Sequence, residues 1–370
     1  DPAASQMIAA PGQSGNPLSR QALQHIKTYS QAQGEHLQAD APANERARVS
    51  VLYPTFSSAG ANRFVFNLPG DMDAVPRALD SLEAEYRQLC ADLQTWALDV
   101  PAPEPTQGAR MDEQLQAQEQ INRLMFKELL EQGWRRESPL DELNGGEPPT
   151  HELTFETPLR GALPRLNARF EHISRLDLST GDITTDIDGL LAGFPKLKSL
   201  SVFRYALSKL PSSIFDIPSL TSLSLQECRI ILTEETAGAL AAMTQLEYLD
   251  LSENPLGLPI DVSQLSNLQS LYMQDVGLTE FPSGVFGLHH LTTLDVSDNA
   301  IVEVPADILE RQLPFDEESD FSGNSFSPAS IERLRTYFLQ TGNDLGVADA
   351  DHDDAGAPLA PPTPPEPVEE

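Results

Sequence analysis

Leucines recur through the middle of the chain at intervals of 22 to 26 residues. The series consists of Leu153, Leu176, Leu200, Leu223, Leu249, Leu271 and Leu294. A second apolar residue follows each of them two positions later, as Phe155, Leu178, Val202, Leu225, Leu251, Met273 and Val296. An apolar-polar-apolar triplet predicts a short β-strand with two side chains on one face. Because one copy cannot bury its own leucines, the pattern predicts stacked strands that share a core.

A second signal keeps the same phase: an apolar residue and a proline lie nine or ten positions after the leucine. These pairs are Leu163-Pro164, Leu210-Pro211, Leu258-Pro259, Phe281-Pro282 and Val304-Pro305. Proline disfavours a second strand ladder, so turns, 3-10 turns and short helices are expected there. The unit L-x-x-L-x-L-x-x-N/C-x-L is that of leucine-rich repeats. Residues 150–326 are therefore predicted to form an α/β leucine-rich repeat solenoid, with short parallel strands on its concave face and an irregular convex side.

One position in each repeat is expected to satisfy buried backbone groups at the turn after the strand. Cys228, Asn254 and Asn299 hold it in the best copies, and Tyr205 holds it in a poorer one. A degenerate last copy contains Asn324, and terminal copies are usually atypical because they cap the core.

The flanks divide into four further segments. Apolar residues at spacings of three and four predict helices over 74–97 and 111–134, within a helical segment 71–143. Residues 1–70 are expected to be poorly ordered, with a hairpin over 49–68. Residues 327–343 are predicted to form a capping helix that starts at Ser327, and 347–370 to be a disordered acidic, Pro-rich tail.

The charge and composition of the chain limit the classes of partner that it is expected to bind. The formal net charge is −32, which argues against nucleic acid and anionic lipid, whose phosphates attract Lys and Arg. Either the charge favours a basic partner or it serves only solubility. No apolar run reaches the ~18–20 residues that span a bilayer. There is no signal peptide, and because the chain starts at Asp1 rather than Met, a fragment or processed form is expected.

The repeats and their flanks resemble bacterial, pseudomonad-type effector-like proteins that carry leucine-rich repeats before a NEL (novel E3 ligase) domain. The resemblance covers roughly residues 74–346. It is carried by Gly133-Trp134-Arg135-Arg136-Glu137, Ala162-Leu163-Pro164-Arg165-Leu166, Phe170-Glu171-His172-Ile173, Asp250-Leu251-Ser252-Glu253-Asn254-Pro255-Leu256 and the closing segment Ser325-Phe326-Ser327-Pro328 to Thr341-Gly342.

That resemblance implies repeats that recognise a substrate or restrain the ligase, and a separate helical domain whose cysteine accepts ubiquitin as a thioester. It further implies a bacterial protein secreted into host cytoplasm, with a host protein or the ubiquitin-conjugating machinery as partner. The chain ends where that domain is expected to begin, so catalysis is not assigned to these residues. The alternative is a stand-alone repeat adaptor.

Catalytic and metal chemistry find little support in the residues. Cys90-Ala91-Asp92 matches the Cys-x-Asp motif of such ligases, but Cys90 lies between Leu89 and Leu93 on a predicted helix ahead of the repeats. Cys228 is expected to be a buried turn residue. His172, His289 and His290 have no carboxylate at a fixed spacing. No zinc spacing or phosphate-binding loop is present, so neither a cofactor nor a metal is expected.

The outward positions of the strands are the candidate protein-binding site. We select those with anchor chemistry or charge: Phe203, Arg204, Gln226, Tyr248, Asp250, Tyr272, Gln274 and Asp295. Aromatic residues and Arg dominate interface energetics. Alternatively, the aromatic rings only shield the strand backbone. The acidic series Asp177, Asp250 and Asp295 either selects a Lys/Arg-rich partner or is solvated and inert.

Overall fold

The computed structural model describes residues 43–71, 73–101, 109–143, 149–311 and 315–347. The predictions for residues 1–42 and for the tail from 348 onward lie outside the described residues. The chain divides into two compact units. Of the described residues, the first unit holds those up to Gln88 together with Trp134–Glu137, and the second holds those in Leu89–Gly133 and from Ser138 on.

The predicted hairpin over 49–68 is wrong, because this segment belongs to two helices. Helix α1 spans Ala43–Leu52 and helix α2 spans Ser58–Phe66. Val49 and Leu52 are buried, three positions apart, whereas Val51 is 76% exposed. This spacing buries one face of a helix rather than one face of a strand. The hydroxyl of Ser57 accepts a hydrogen bond from the Gly60 N–H and caps α2.

Two long helices follow: α3 over Val75–Leu98 and α4 over Ala109–Trp134. In the first unit, the ring of Trp134 stacks on Tyr53 and Tyr86, with centroids 5.4 and 4.9 Å away. In the second unit, Phe126 of α4 meets Phe155 of the first repeat strand edge to face at 4.7 Å. A Cβ on Gly133 would lie 2.9 Å from the Leu153 side chain, so glycine lets α4 approach the first repeat.

A parallel sheet runs through the repeats, as the leucine pattern predicts. Its strands are β1 (His151–Phe155), β2 (Gly161–Ala162), β3 (Ile173–Asp186), β4 (Ser199–Ala206), β5 (Ser222–Gln226), β6 (Tyr248–Asp250), β7 (Ser270–Tyr272) and β8 (Thr293–Asp295). All pairings are parallel, in the order β1-β3-β4-β5-β6-β7-β8.

The register aligns the leucines as a continuous buried row. Leu153 pairs with Leu176, and the series continues without a slip to Leu271 and Leu294. Each member is at most 1% exposed. At roughly 25 cal/mol per Å², this row supplies much of the free energy of folding. The α/β leucine-rich repeat solenoid, preceded by a helical segment, is confirmed.

The returning side of each repeat is short and irregular. It holds helices α5 (Asp188–Leu191) and α6 (Glu234–Ala241), 3-10 turns at Ser212–Asp216 and Val285–Gly287, and helix α7 (Asp307–Arg311). The prolines do not exclude all pairing here, because β2 lies just before Leu163-Pro164 and pairs with Thr185 and Asp186. None of the described helices is both long and apolar enough to cross a bilayer.

The far end of the sheet is covered by helix α8, Pro328–Thr341. The Ser327 hydroxyl accepts a hydrogen bond from the Ser330 N–H at its start, and Gly342, with φ of 80°, ends it. Leu334 and Tyr337 are buried against the last repeat, where Phe315 lies 6.3 Å from the Tyr337 ring. The helix therefore closes the apolar row.

Tyr205 takes the repeat position of the turn asparagine but lies within β4, and it is fully buried. Its hydroxyl has no hydrogen-bond partner among the described residues. Burial raises the pKa of this hydroxyl, and the nearby Glu119 and Cys228 raise it further. An unpaired buried hydroxyl destabilises the fold, since it loses water and gains nothing.

We therefore expect Tyr205→Phe to leave the free energy of unfolding unchanged or to raise it by about 1 kcal/mol. Urea denaturation followed by circular dichroism measures this change. Tyr272→Phe is the control, because that hydroxyl does have a partner and its removal brings no gain. A loss of stability in Tyr205→Phe would show instead that the hydroxyl holds a buried water.

Candidate functional site

The outward positions of the strands form parallel rows across the concave face. Asp250, Tyr272 and Asp295 are register partners on three consecutive strands, β6 to β8. A bridge from Asp295 to Asp320 extends this row into the last repeat. Three of the predicted site residues are thus direct neighbours, and Asp320 is a fourth member that the sequence analysis did not select.

Two tyrosines form the aromatic centre of this face. The rings of Tyr248 and Tyr272 lie with centroids 5.4 Å apart and planes inclined by 39°. The Tyr272 hydroxyl donates a hydrogen bond to Glu318 Oε2 at 3.0 Å. Burial, with help from Asp250 and Glu318, raises the pKa of Tyr248 to about 12. Both rings therefore carry neutral hydroxyls at physiological pH and remain partly exposed.

Three carboxylates beside the tyrosines are held by the backbone. Asp250, Asp295 and Asp320 each accept a hydrogen bond, through Oδ1, from the N–H of the serine two residues later, at 2.7 to 3.0 Å. The repeated motif Asp-x-Ser thus fixes one oxygen of every carboxylate. Burial raises the pKa of Asp295, the two hydrogen bonds from Ser297 oppose the shift, and the charges of Asp320 and Asp250 add to it.

The expected exposure of Asp250 is wrong. It is only 8% exposed, and Ser252 and Ser297, the serines that bond Asp250 and Asp295, are 4% and 3% exposed. Asp250 Oδ2 accepts a second hydrogen bond, from the Ser224 hydroxyl at 3.2 Å. Asp250 therefore bonds within the sheet through both of its carboxylate oxygens.

Five residues at or just after the ends of successive strands have left-handed backbone angles, and together they form an outer column beside the rows. Arg204, Glu227, Glu253, Asp275 and Asp298 all have φ between 48° and 59°. Apart from Arg204, the column is acidic. Gln226 donates to Glu253 at 3.2 Å and Gln274 donates to Asp298 at 3.0 Å, so both predicted glutamines hold carboxylates of the next repeat.

Phe203 and Arg204 lie apart from the tyrosines. Phe203 follows the apolar pair of β4, whereas Tyr248 precedes that of β6, two strands away. The Arg204 guanidinium lies 5.9 Å from the Phe203 ring and pairs with Glu227 at 3.2 Å. The selected site residues thus form two patches, not one.

Charge is distributed unevenly between these patches. Arg175 and Arg204 are the cationic residues that the described strands place on this face, both in its first half. Arg175 approaches Asp177 at 3.7 Å and Glu152 at 3.8 Å. From Ile230 to Glu310 the sequence has no Lys or Arg at all. The half with the tyrosines is therefore uniformly negative.

Two residues of the last repeat were missed by the sequence analysis. Glu318 and Asp320 belong to a copy in which polar residues stand where leucines are expected, so its phase was hard to assign. The signal was present as Asp320-Phe321-Ser322, which repeats the Asp-x-Ser spacing of β6 and β8.

The described residues contain no group of three His, Cys, Asp or Glu side chains arranged to hold a metal. Cys228 is buried, and burial raises the pKa of its thiol to about 12. Its Sγ instead donates to the carbonyls of Val202 and Gln226, both at 3.3 Å. A neutral buried thiol is a poor nucleophile, so Cys228 serves the turn.

Comparison with known proteins matches the same region. Two family models, both described as leucine-rich repeat, match residues 245–265 and 287–301. A mouse protein, "Leucine-rich repeat and IQ domain-containing protein 4", is 40% identical over 75 residues, which is 20% of this chain and 13% of that protein. The chain thus covers a small part of this curated relative.

Solved structures give the same type of match. A leucine-rich repeat protein of Leptospira interrogans aligns with 21% identity and a TM-score of 0.40, over 50% of this chain and 48% of its own. Internalin C2 of Listeria monocytogenes aligns with 22% identity and a TM-score of 0.37, over 48% and 74% respectively.

The aligned leucine row, the parallel strands and the two matched repeat models agree on one assignment. The chain carries a leucine-rich repeat region that serves as a protein-interaction module.

Proposed function

We propose that this module binds its partner protein through the concave face, with Tyr248 and Tyr272 as the central anchors. The observation that carries the proposal is the pair of half-buried tyrosines, whose rings lie 5.4 Å apart on the outward side of the sheet and remain partly exposed. Tyrosine supplies a large contact area at low conformational cost, and solenoids commonly bind along this surface. Phe203 with Arg204 forms the second patch.

We further propose that the module is the substrate-recognition or autoinhibitory part of a bacterial NEL-type ubiquitin ligase delivered to host cells. Support comes from the resemblance of the segment 133–137, of the repeats and of the closing helix to that class. The stand-alone adaptor is the rival function, and the same binding face serves both.

A ubiquitin-transfer assay separates these two functions. The full-length product of the encoding gene is incubated with ubiquitin, activating enzyme and conjugating enzyme. A ligase forms a thioester that reducing agent releases, and deleting residues 150–343 changes either its basal rate or its choice of substrate. A full-length product that never forms a thioester would favour the adaptor.

The binding face makes its own prediction. We expect Tyr272→Ala and Phe203→Ala each to weaken partner binding by ~1–3 kcal/mol, the usual range for anchor residues. The partner is first captured by the wild-type chain and identified, and its affinity is then measured by calorimetry.

Phe338→Ala is the control, because Phe338 is a solvent-exposed aromatic residue on the capping helix α8 rather than on a strand. Affinity unchanged by both concave substitutions, or reduced equally by the control, would contradict binding through this face.

A further inference from the structure

We infer that the segment filling the tyrosine half of the concave face is extended and presents Lys or Arg side chains to the row Asp250, Tyr272, Asp295 and Asp320. The inference rests on the proposed function and names the chemistry of its partner.

The carboxylates of this row are oriented before any partner arrives. In Asp295 and Asp320 the backbone N–H of the following serine holds Oδ1 at 2.9 and 2.7 Å. Their Oδ2 atoms receive no hydrogen bond from the described part of the chain. Each carboxylate thus keeps a free oxygen on a fixed group. Pre-oriented acceptors lose little conformational entropy on binding, which favours charge-assisted hydrogen bonds.

The row also lacks the cations that usually accompany half-buried carboxylates. The cationic residues on the described strands, Arg175 and Arg204, lie on β3 and β4, and both have acidic neighbours in their own half of the face. Asp295 instead faces Asp250 and Asp320, whose charges and the local burial raise its pKa. A guanidinium or ammonium group placed here would relieve this repulsion and meet no internal competitor.

The tyrosine pair offers a second attraction for a basic side chain, in addition to the carboxylates. Tyr272 stands between Asp250 and Asp295 in register, and its hydroxyl is fixed by Glu318. A cation over an aromatic ring is attracted by the ring quadrupole, and carboxylates at its edges add direct ion pairs. An acidic peptide would meet repulsion at every one of these positions.

The spacing of the row suggests which extended segment fits. Asp250 and Asp295 lie on strands two apart, which separates them by about 10 Å along the sheet. A polyproline II segment rises about 9 Å in three residues and returns to the same side. Basic residues three positions apart would therefore place one cation at the open Oδ2 of Asp295 and the next beside Asp250, whose own Oδ2 is already bonded to Ser224.

The test uses a fluorescein-labelled synthetic peptide with Arg at every third position and Gly or Pro between, measured by fluorescence anisotropy against the full chain. A peptide with Glu in place of Arg is the negative probe. We expect the Arg peptide to bind with salt-dependent affinity, and Asp295→Asn and Glu318→Gln each to reduce it about three- to tenfold. Glu235→Gln, an exposed carboxylate on the convex helix α6, is the matched control and leaves the affinity unchanged.

Asp295→Asn also has an expected stability effect of opposite sign. Its raised pKa means that the native chain binds more protons than the unfolded chain, so the carboxylate lowers stability as pH rises above its unfolded value. Asparagine retains an acceptor for the Ser297 N–H without the charge. The thermal midpoint should therefore stay the same or rise, so that lost peptide binding cannot be attributed to unfolding.

Equal binding of the Arg and Glu peptides, or full affinity in Asp295→Asn, would overturn the inference. Binding of the captured natural partner distinguishes failure of the basic-segment inference from failure of binding through the concave face. If Tyr272→Ala weakens it while both charge substitutions do not, binding through the concave face stands and the basic segment falls. If none of these substitutions matters, both fall.

Discussion

Replacing Asn254 with alanine is expected to lower the free energy of unfolding of the repeat region by about 3–5 kcal/mol. Asn254 is 1% exposed. Its Oδ1 accepts hydrogen bonds from the Cys228 and Ile230 N–H groups at 3.0 and 2.9 Å. Its Nδ2 donates to the carbonyls of Leu225, Leu251 and Ser252 at 2.7 to 3.0 Å. Alanine would leave these buried backbone groups of two consecutive repeats without partners.

The measurement is urea denaturation followed by far-ultraviolet circular dichroism. Asn299→Ala should cost a similar amount, because Asn299 makes the corresponding five hydrogen bonds two repeats later. Asn267→Ala is the control: Asn267 is exposed and donates one bond, to the Thr244 carbonyl at 2.9 Å. A cost for Asn254→Ala no larger than that of the control would disprove the structural role of this asparagine.

The leucine row could be predicted from the sequence because its period is set by covalent chain length. Each copy must return to the same edge of the sheet after about two dozen residues. The spacing of Leu249 and Leu271 in the sequence is therefore enough to predict that they are register partners. The same holds for Asn254 and Asn299, whose side chains bond almost entirely within their own and the preceding repeat.

The two short helices near the start could not be predicted in this way. Val49, Val51 and Phe64 to Phe66 have strong strand propensity, which favoured a hairpin. The helices form because Val49, Leu52, Ala61 and Val65 bury a helical face within the first unit, and Val51 is left exposed. Tertiary packing overrides local propensity here, and no regular period exposes that packing in the sequence.

The candidate site likewise has residues that the sequence pattern could select and contacts that it could not. The outward rows follow from strand alternation, so Tyr272 and Asp295 could be selected from the pattern alone. The 8% exposure of Asp250 and its hydrogen bond from the Ser224 hydroxyl do not follow from strand alternation. The contact between Tyr272 and Glu318 joins residues 46 positions apart, through a last repeat with few leucines. Such details require the three-dimensional arrangement.

A second large effect is expected where the long helices meet the first repeat. Arg123 of α4 is 2% exposed. Its guanidinium donates to the carbonyls of Trp96 and Asp99 at 2.9 Å and to that of Arg160 at 2.7 Å. It lies 4.5 Å from the centre of the Trp96 ring and pairs with Glu119 at 3.2 Å. One side chain thereby ties the end of α3, the middle of α4 and the segment before β2 together.

We expect Arg123→Met to lower the free energy of unfolding by about 3–5 kcal/mol, because methionine fills the space but removes the guanidinium donor from three carbonyls. It also takes the cation away from the buried Glu119 carboxylate, which then keeps only the Arg160 N–H as a donor among the described residues. Arg123→Lys should recover only part of this loss, since one ammonium cannot reproduce a planar fork with donors in three directions. Adding Glu119→Gln to Arg123→Met should restore some stability by removing the unpaired buried charge, which a double-mutant cycle measures.

Trp96 reports on this junction directly, because its indole N–H donates to the Ala162 carbonyl at 3.0 Å and its ring faces Arg123. Urea unfolding followed by tryptophan fluorescence is best recorded with Trp134 replaced by phenylalanine in every variant, so that the signal comes from Trp96 alone. Arg335→Met is the control, since Arg335 lies exposed on α8 and its one ion pair, to Glu332 at 3.5 Å, is a surface contact worth little.

If Arg123→Met and Arg335→Met had the same midpoint, the junction would have to be held by the apolar contact of Phe126 with Phe155, and the arginine would be dispensable. The buried position of Arg123 argues against that result, because a guanidinium loses far more hydration than a phenylalanine contact returns unless all of its bonds are formed.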